Sequence, residues 1–168
     1  MRTAVTRHLT MRELDRRLAE INSETSRRLH LVAQPTHAGD WPGLIRKHRD
    51  MLAILETARK RKGELTPPDD RAEHYWSYLA AIDRQLRLER TVLDAAQTHD
   101  FNAYAQECRL LAASVGDVQL AGSRAGLGST QLSWMQHQRI KLTLPIYMLR
   151  AHLHARKEAR AGRRWQSG

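Results

Sequence analysis

The chain is poor in cysteine, in aromatics and in long apolar runs. It has one cysteine, one phenylalanine and 5% aromatic residues overall. A single cysteine rules out a disulfide framework within the chain. With so few aromatics the expected core is aliphatic, built from Leu, Ile, Val and Ala, which suits helices better than sheets. No stretch approaches the roughly 20 apolar residues of a membrane span. Met1-Arg2-Thr3-Ala4-Val5-Thr6-Arg7-His8 contains no apolar segment of the kind that forms the centre of a secretory signal. The expected setting is therefore cytoplasmic and reduced.

Several chemistries also lack their residues. Di-iron carboxylate bundles need Glu-x-x-His, and none occurs. His-x-x-x-His, which aims two imidazoles at one ion, is missing too. Asp70 and His74 stand four apart, but they fit a solvated pair at a helix end. His152 and His154 are two apart, so on a helix they diverge by about 200°. Gly122–Thr130 is rich in glycine, yet it lacks the lysine of a phosphate loop and follows no strand. No Ser/His/Asp signature is recognisable. The expectation is no catalytic residue, no metal and no cofactor.

What is present is helical periodicity. A chain of 168 residues suffices for one domain with a real core. Residues 1–9 read as a loose basic lead-in. Thr10-Met11-Arg12-Glu13 fits a capping box, followed by a stripe of Leu14, Leu18, Ile21, Thr25, Leu29 and Val32 that ends before Pro35. Asp40 caps a second helix with Pro42 in its first turn and a stripe of Leu44, Ile45, His48, Leu52, Leu55 and Ala58. Arg59, Lys60, Arg61 and Lys62 crowd its last turn, where cations are favoured, and Gly63 closes it.

The third helix is read from Thr66 as cap and Pro67 as first residue, with Asp69 and Asp70 complementing the dipole. Its stripe is Ala72, Tyr75, Leu79, Ile82, Leu86, Leu93 and Ala96, which makes a rod of about 45 Å. After the turn at His99-Asp100, a fourth helix carries Tyr104, Cys108, Leu111, Val115 and Val118, and it stops at Gly126. A connection this short forces antiparallel neighbours. Helices over 11–33, 41–62, 67–98 and 100–125 thus predict an all-α, up-down-up-down four-helix bundle over residues 1–128. Leu79, Ile82 and Leu111 are expected in its core.

Leu65-Thr66-Pro67-Pro68, the His99-Asp100 turn and Ala125-Gly126-Leu127-Gly128 together resemble a pattern found in helical-bundle proteins of high-GC, actinobacterial-like bacteria. In those proteins Leu-x-Pro-Pro precedes a long helix, an acidic turn, a second long helix and a terminal Gly-Leu. This chain departs from the pattern in lacking a cysteine after Leu127 and an export signal. The resemblance covers residues 65–128 and implies a bundle without naming an activity.

Beyond Ser129 the composition changes. Ile140-Lys141-Leu142-Thr143-Leu144 alternates like a strand, but no other segment offers a partner, so a helix broken at Pro145 is expected. Residues 129–168 then form a basic amphipathic helical arm. Its cations are Arg139, Lys141, Arg150, Arg156, Lys157, Arg160, Arg163 and Arg164, with Glu158 the one acid. The arm carries +7 of a formal net charge of +10. Ile146, Leu149 and Leu153 share one face and need cover, as do Trp134, Met135, Tyr147 and Met148.

Two polar residues fall inside apolar stripes. Glu89 lies between Leu86 and Leu93 on the third helix, and His48 lies on the second. A carboxylate inside a core needs a proton or a cationic partner, and either can mark function. The plainer expectation is that Leu88 and Val92 carry the stripe while Glu89 reaches outward. His48 reads as a satisfied core or boundary histidine, and Cys108 as a small core residue.

The expected function is non-enzymatic: an adaptor, regulator or accessory subunit acting by protein contacts through the arm, with a protein partner or a second copy. The alternative is nucleic-acid binding, with the arginines on phosphates and Trp165 or Tyr147 stacking on bases. An anionic membrane surface ranks behind both. An enzyme using Glu89 and His48 ranks last.

Overall fold

The protein is an all-α four-helix bundle. A computed structural model describes residues 8–37 and 39–127. The carboxy-terminal segment 129–168, its expected break at Pro145 and the lead-in before His8 lie outside the described residues. The elements are α1 (Met11–His30), α2 (Trp41–Gly63), a short 3-10 turn (Asp69–Arg71), α3 (Ala72–Gln97) and α4 (Phe101–Arg124).

Local chemistry accounts for most boundaries. Thr10 Oγ1 accepts from the Glu13 N–H at 3.3 Å, while Glu13 Oε2 accepts from the Thr10 N–H at 2.9 Å, which completes the capping box of α1. Asp40 caps α2 through Gly43 N–H at 2.9 Å, and its other oxygen accepts from the Thr36 backbone N–H at 2.9 Å. These hydrogen bonds to the ionised form, led by that from the Thr36 backbone, hold Asp40 below its ordinary carboxylate value. A Cβ at position 43 would meet Asp40 Oδ2 at 2.2 Å, so the cap needs glycine there. Asp100 Oδ1 caps α4 through the N–H groups of Asn102 and Ala103 at 2.9 and 3.0 Å.

At the far end of α4, Gly126 adopts φ +73. Leu127 N–H bonds Gly122 O and Gly126 N–H bonds Ser123 O, the paired bonds of a Schellman stop. Leu127 is folded back into the core by this turn. Gly63, by contrast, is the last helical residue and not a left-handed cap.

The start of α3 corrects the sequence expectation. The helix begins at Ala72, not Pro67, after the 3-10 turn. Pro68 explains this, because a residue preceding proline is driven out of the α region and Pro67 is that residue. Thr66 does not cap; its carbonyl accepts the Leu9 N–H at 3.1 Å. The 26 residues of α3 make a rod of about 39 Å.

Helix α2 packs on α1 and α3, and α3 packs on α4. The largest buried cluster joins Leu14 and Leu18 of α1, Tyr75, Tyr78, Leu79, Ile82 and Leu86 of α3, and Ala125 and Leu127. The core is thus not purely aliphatic, since Tyr75 and Tyr78 are among its largest buried side chains. Leu79 and Ile82 are buried as expected, but Leu111 is only half-buried. The buried face of α4 consists of Ala105, Cys108, Ser114 and Gly122. Such small residues let α4 lie close on α3, and Leu111 is left at the margin of the contact. Among the described residues, no helix is long and apolar enough to cross a membrane.

Candidate functional site

The near end of α2, the far half of α3 and the first turns of α4 enclose a polar cluster. It is built from the two stripe residues singled out above. His48 sits in the apolar stripe of α2, so folding turns it inward, and its side chain is 6% exposed. Glu89 sits one turn beyond Leu86 on α3, and its side chain is 1% exposed. Antiparallel packing sets the two at the same height, and His48 Nδ1 lies 2.6 Å from Glu89 Oε1. The outward orientation expected for Glu89 is therefore wrong. Val92 does take the stripe, as expected, but Leu88 remains half-buried and Glu89 occupies the core position between them. The physical reason is that His48 supplies the hydrogen-bonding partner that burial of a carboxylate requires.

The imidazole has a second partner. His48 Nε2 lies 2.9 Å from Tyr104 Oη on α4, with the two rings edge to face at 73°. With Glu89 ionised, Nδ1–H donates to its carboxylate. A neutral imidazole then accepts the Tyr104 hydroxyl proton at Nε2, and an imidazolium donates there instead. Both states keep the ring satisfied. Three helices are thereby joined by one chain of side chains that runs from the interior at Glu89 to the half-buried Tyr104.

Aromatic and charged neighbours complete the cluster. Trp41, in the first turn of α2, meets the Tyr104 ring edge to face at 5.8 Å and stacks on His99 at 5.4 Å. His99 holds φ 55 in the turn between α3 and α4, a left-handed conformation that histidine tolerates better than most residues. Cys108 lies one turn below Tyr104, and burial pushes its thiol above the ordinary value. It is a small core residue, not a nucleophile. Burial depresses the Lys47 ammonium, against the opposing pull of Glu89 and Cys108.

A second buried polar group escaped the sequence reading altogether. Lys62 reads in the sequence only as one of four cations favoured in the last turn of α2, yet it is 9% exposed. Its Nζ donates to Tyr78 Oη at 3.0 Å, and the ammonium sits 5.4 Å from the centre of that ring. Tyr75 Oη donates to the Lys62 carbonyl at 2.7 Å. Burial first, and Arg59 second, pull the Lys62 ammonium down to about 8. Burial likewise raises both phenols far above 10, their ordinary value. The signal was present: Lys62 lies four residues after Ala58 and continues the α2 stripe. Its neighbours do face outward, with Arg59 bidentate on Asp83 at 2.8 Å and Arg61 paired with Glu24.

Tyr104 was also placed only as an apolar stripe residue, and nothing in the spacing linked its hydroxyl to His48. Arg139, Lys141, Arg150, Arg156, Lys157, Arg160, Arg163, Arg164, Ile146, Leu149 and Leu153 lie outside the described residues. Among the described residues, no group of three or more His, Cys, Asp and Glu side chains is arranged to hold a metal ion. Comparison with protein-family models, curated proteins and solved structures finds no match to this chain.

Proposed function

We propose that the protein acts by contact, as an adaptor, regulator or accessory subunit, and that residues 139–164 are its main interaction segment. The supporting observation is the segregation of charge. Residues 8–127 hold 18 lysines and arginines against 17 aspartates and glutamates, whereas residues 129–168 hold 8 against 1. Within the bundle many of these charges are matched locally, as in Arg16–Glu20, Arg59–Asp83 and Arg90–Glu56. A near-neutral body with a concentrated cationic extension favours contacts made by the extension. Ile146, Leu149 and Leu153 lie in the same segment and supply apolar anchors for a protein partner or a second copy.

Replacing Arg150, Arg156, Lys157 and Arg160 by glutamine is expected to leave the bundle's melting curve nearly unchanged. Replacing Ile146, Leu149 and Leu153 by serine is expected to weaken self-association, measured by light scattering, more than the charge changes do. Nucleic acid is the alternative partner, favoured by the same +7. In that case anisotropy with a labelled duplex shows affinity falling steeply with salt, and the glutamine variant has a shallower slope. If neither set of substitutions alters self-association or duplex binding, the contact function is lost.

A further inference from the structure

We propose that Tyr104 is an acyl-acceptor site for activated esters, with His48 as its base and Glu89 as the positioning residue that holds the imidazole. This goes beyond the contact function and does not depend on it.

The geometry supplies the parts in order. A hydroxyl acts as a nucleophile when an imidazole stands ready to take its proton and a carboxylate fixes that imidazole from the other side. Here Tyr104 Oη is 2.9 Å from His48 Nε2, and His48 Nδ1 is 2.6 Å from Glu89 Oε1. Each member comes from a different helix, so tertiary packing alone holds the line. The buried end is the carboxylate and the half-buried end is the phenol, which is the polarity a reacting site needs. The groups around it are Lys47 on α2, Glu89 on α3, His99 in the turn, and Glu107 and Cys108 on α4. Of these, Glu107 is engaged by Thr91 at 2.9 Å, and Lys47 is the cation whose charge couples to Glu89 and Cys108. Trp41 meets the phenol ring edge to face, and His99 in turn stacks on Trp41.

The reaction balances without a co-reactant. Tyr104 Oη forms a bond to the acyl carbon while its proton passes to His48 Nε2. Glu89 stabilises the imidazolium so formed. Collapse of the adduct breaks the bond between the acyl carbon and the leaving group, which departs with the proton from His48. The products are an O-acyl tyrosine and a free thiol or phenol. The leaving group is bounded by chemistry, because the adduct expels whichever oxygen or sulfur is the better anion. Phenols ionise near pH ~10 and thiols near ~8.5, whereas simple alcohols ionise far less readily. The donors are therefore thioesters and aryl esters, and alkyl esters return to starting material.

The test uses the full chain with p-nitrophenyl acetate, with an acetyl thioester and with ethyl acetate, read by peptide mass spectrometry. The first two are expected to place one acetyl group on Tyr104, and ethyl acetate none. Tyr104→Phe removes the label. His48→Gln slows labelling at pH 7 by about 10²-fold or more. Glu89→Gln, which keeps a hydrogen-bond acceptor, produces a smaller loss. The proposal is overturned if Tyr104 acylates no faster than free N-acetyltyrosine amide, if the label falls elsewhere, or if His48→Gln leaves the rate unchanged. Should His48→Gln fail to fold by circular dichroism, the comparison of wild-type Tyr104 with the free amide decides alone. None of these outcomes involves residues 139–164, so they leave the contact function untouched.

Discussion

Replacing Lys62 by methionine is expected to stabilise this protein at neutral pH, although it deletes a hydrogen bond from the core. Lys62 is buried against Tyr78 without a carboxylate, and burial pulls its ammonium from an ordinary value of 10.5 down to about 8. A displacement of that size corresponds to about 3 kcal/mol of unfavourable free energy carried by the charged form in the folded state. The hydrogen bond to Tyr78 offsets roughly 1 kcal/mol of this. Methionine has a similar length and keeps the contact with the tyrosine ring, so the net gain at pH 7 is about 2 kcal/mol.

The sign of the pH dependence provides the control. The folded value lies below the unfolded one, so between pH 8 and 10.5 the unfolded chain binds more protons and the wild type gains stability as pH rises. Below pH 8 both states are protonated and the cost of the charge is constant. The methionine variant lacks this term, so its advantage over wild type shrinks steadily from pH 8 to 10. Above pH 10 the comparison fails, because Tyr75 and Tyr78 stay neutral when folded but ionise when unfolded, which lowers the stability of both proteins. Urea denaturation of both proteins at pH 7, 8.5 and 10 provides the measurement. A variant less stable than wild type at pH 7, or a difference that does not change with pH, refutes the reasoning.

Two further stability predictions follow from the site and the core. Glu89→Leu leaves a buried N–H of His48 without its acceptor and is expected to cost about 2–3 kcal/mol, whereas Tyr104→Phe removes a part-buried hydrogen bond and costs about 1 kcal/mol. Urea midpoints that rank these two the other way would show that the carboxylate is not held by the histidine. Leu79→Ala is expected to cost about 2–5 kcal/mol and Leu111→Ala clearly less, since the first is enclosed by the main cluster and the second is half-buried. Equal thermal shifts for the two would mean that α4 packs through its larger side chains.

The sequence by itself determined the elements and where most of them stop. Thr10 with Glu13, Asp40 ahead of Gly43, Asp100 and Gly126 act through bonds to residues two to four positions away. Such bonds form wherever the helix forms, so they can be read from spacing alone. The stripes of α1, α2 and α3 likewise mark their buried faces, whereas α4 turns inward Ala105, Cys108, Ser114 and Gly122, of which only Cys108 lies on its stripe; the late start of α3 is written in Pro67-Pro68. The near-neutral charge of the bundle is likewise a property of composition.

Only the tertiary structure decided what the misplaced polar residues do. A periodic pattern marks position 89 as inward but cannot say whether a carboxylate there has a partner. That depends on the height at which α2 meets α3, and this brings His48 within 2.6 Å. Tyr104 joins them only because the tight turn at His99 folds α4 back along α3. Lys62 turned inward because the tyrosines of α3, 13 and 16 residues further on, offered it a hydroxyl and a ring. The hydrogen bonds that hold these groups span 13 to 56 residues of sequence. Their strength depends on tenths of an ångström, which helix packing sets and residue spacing does not.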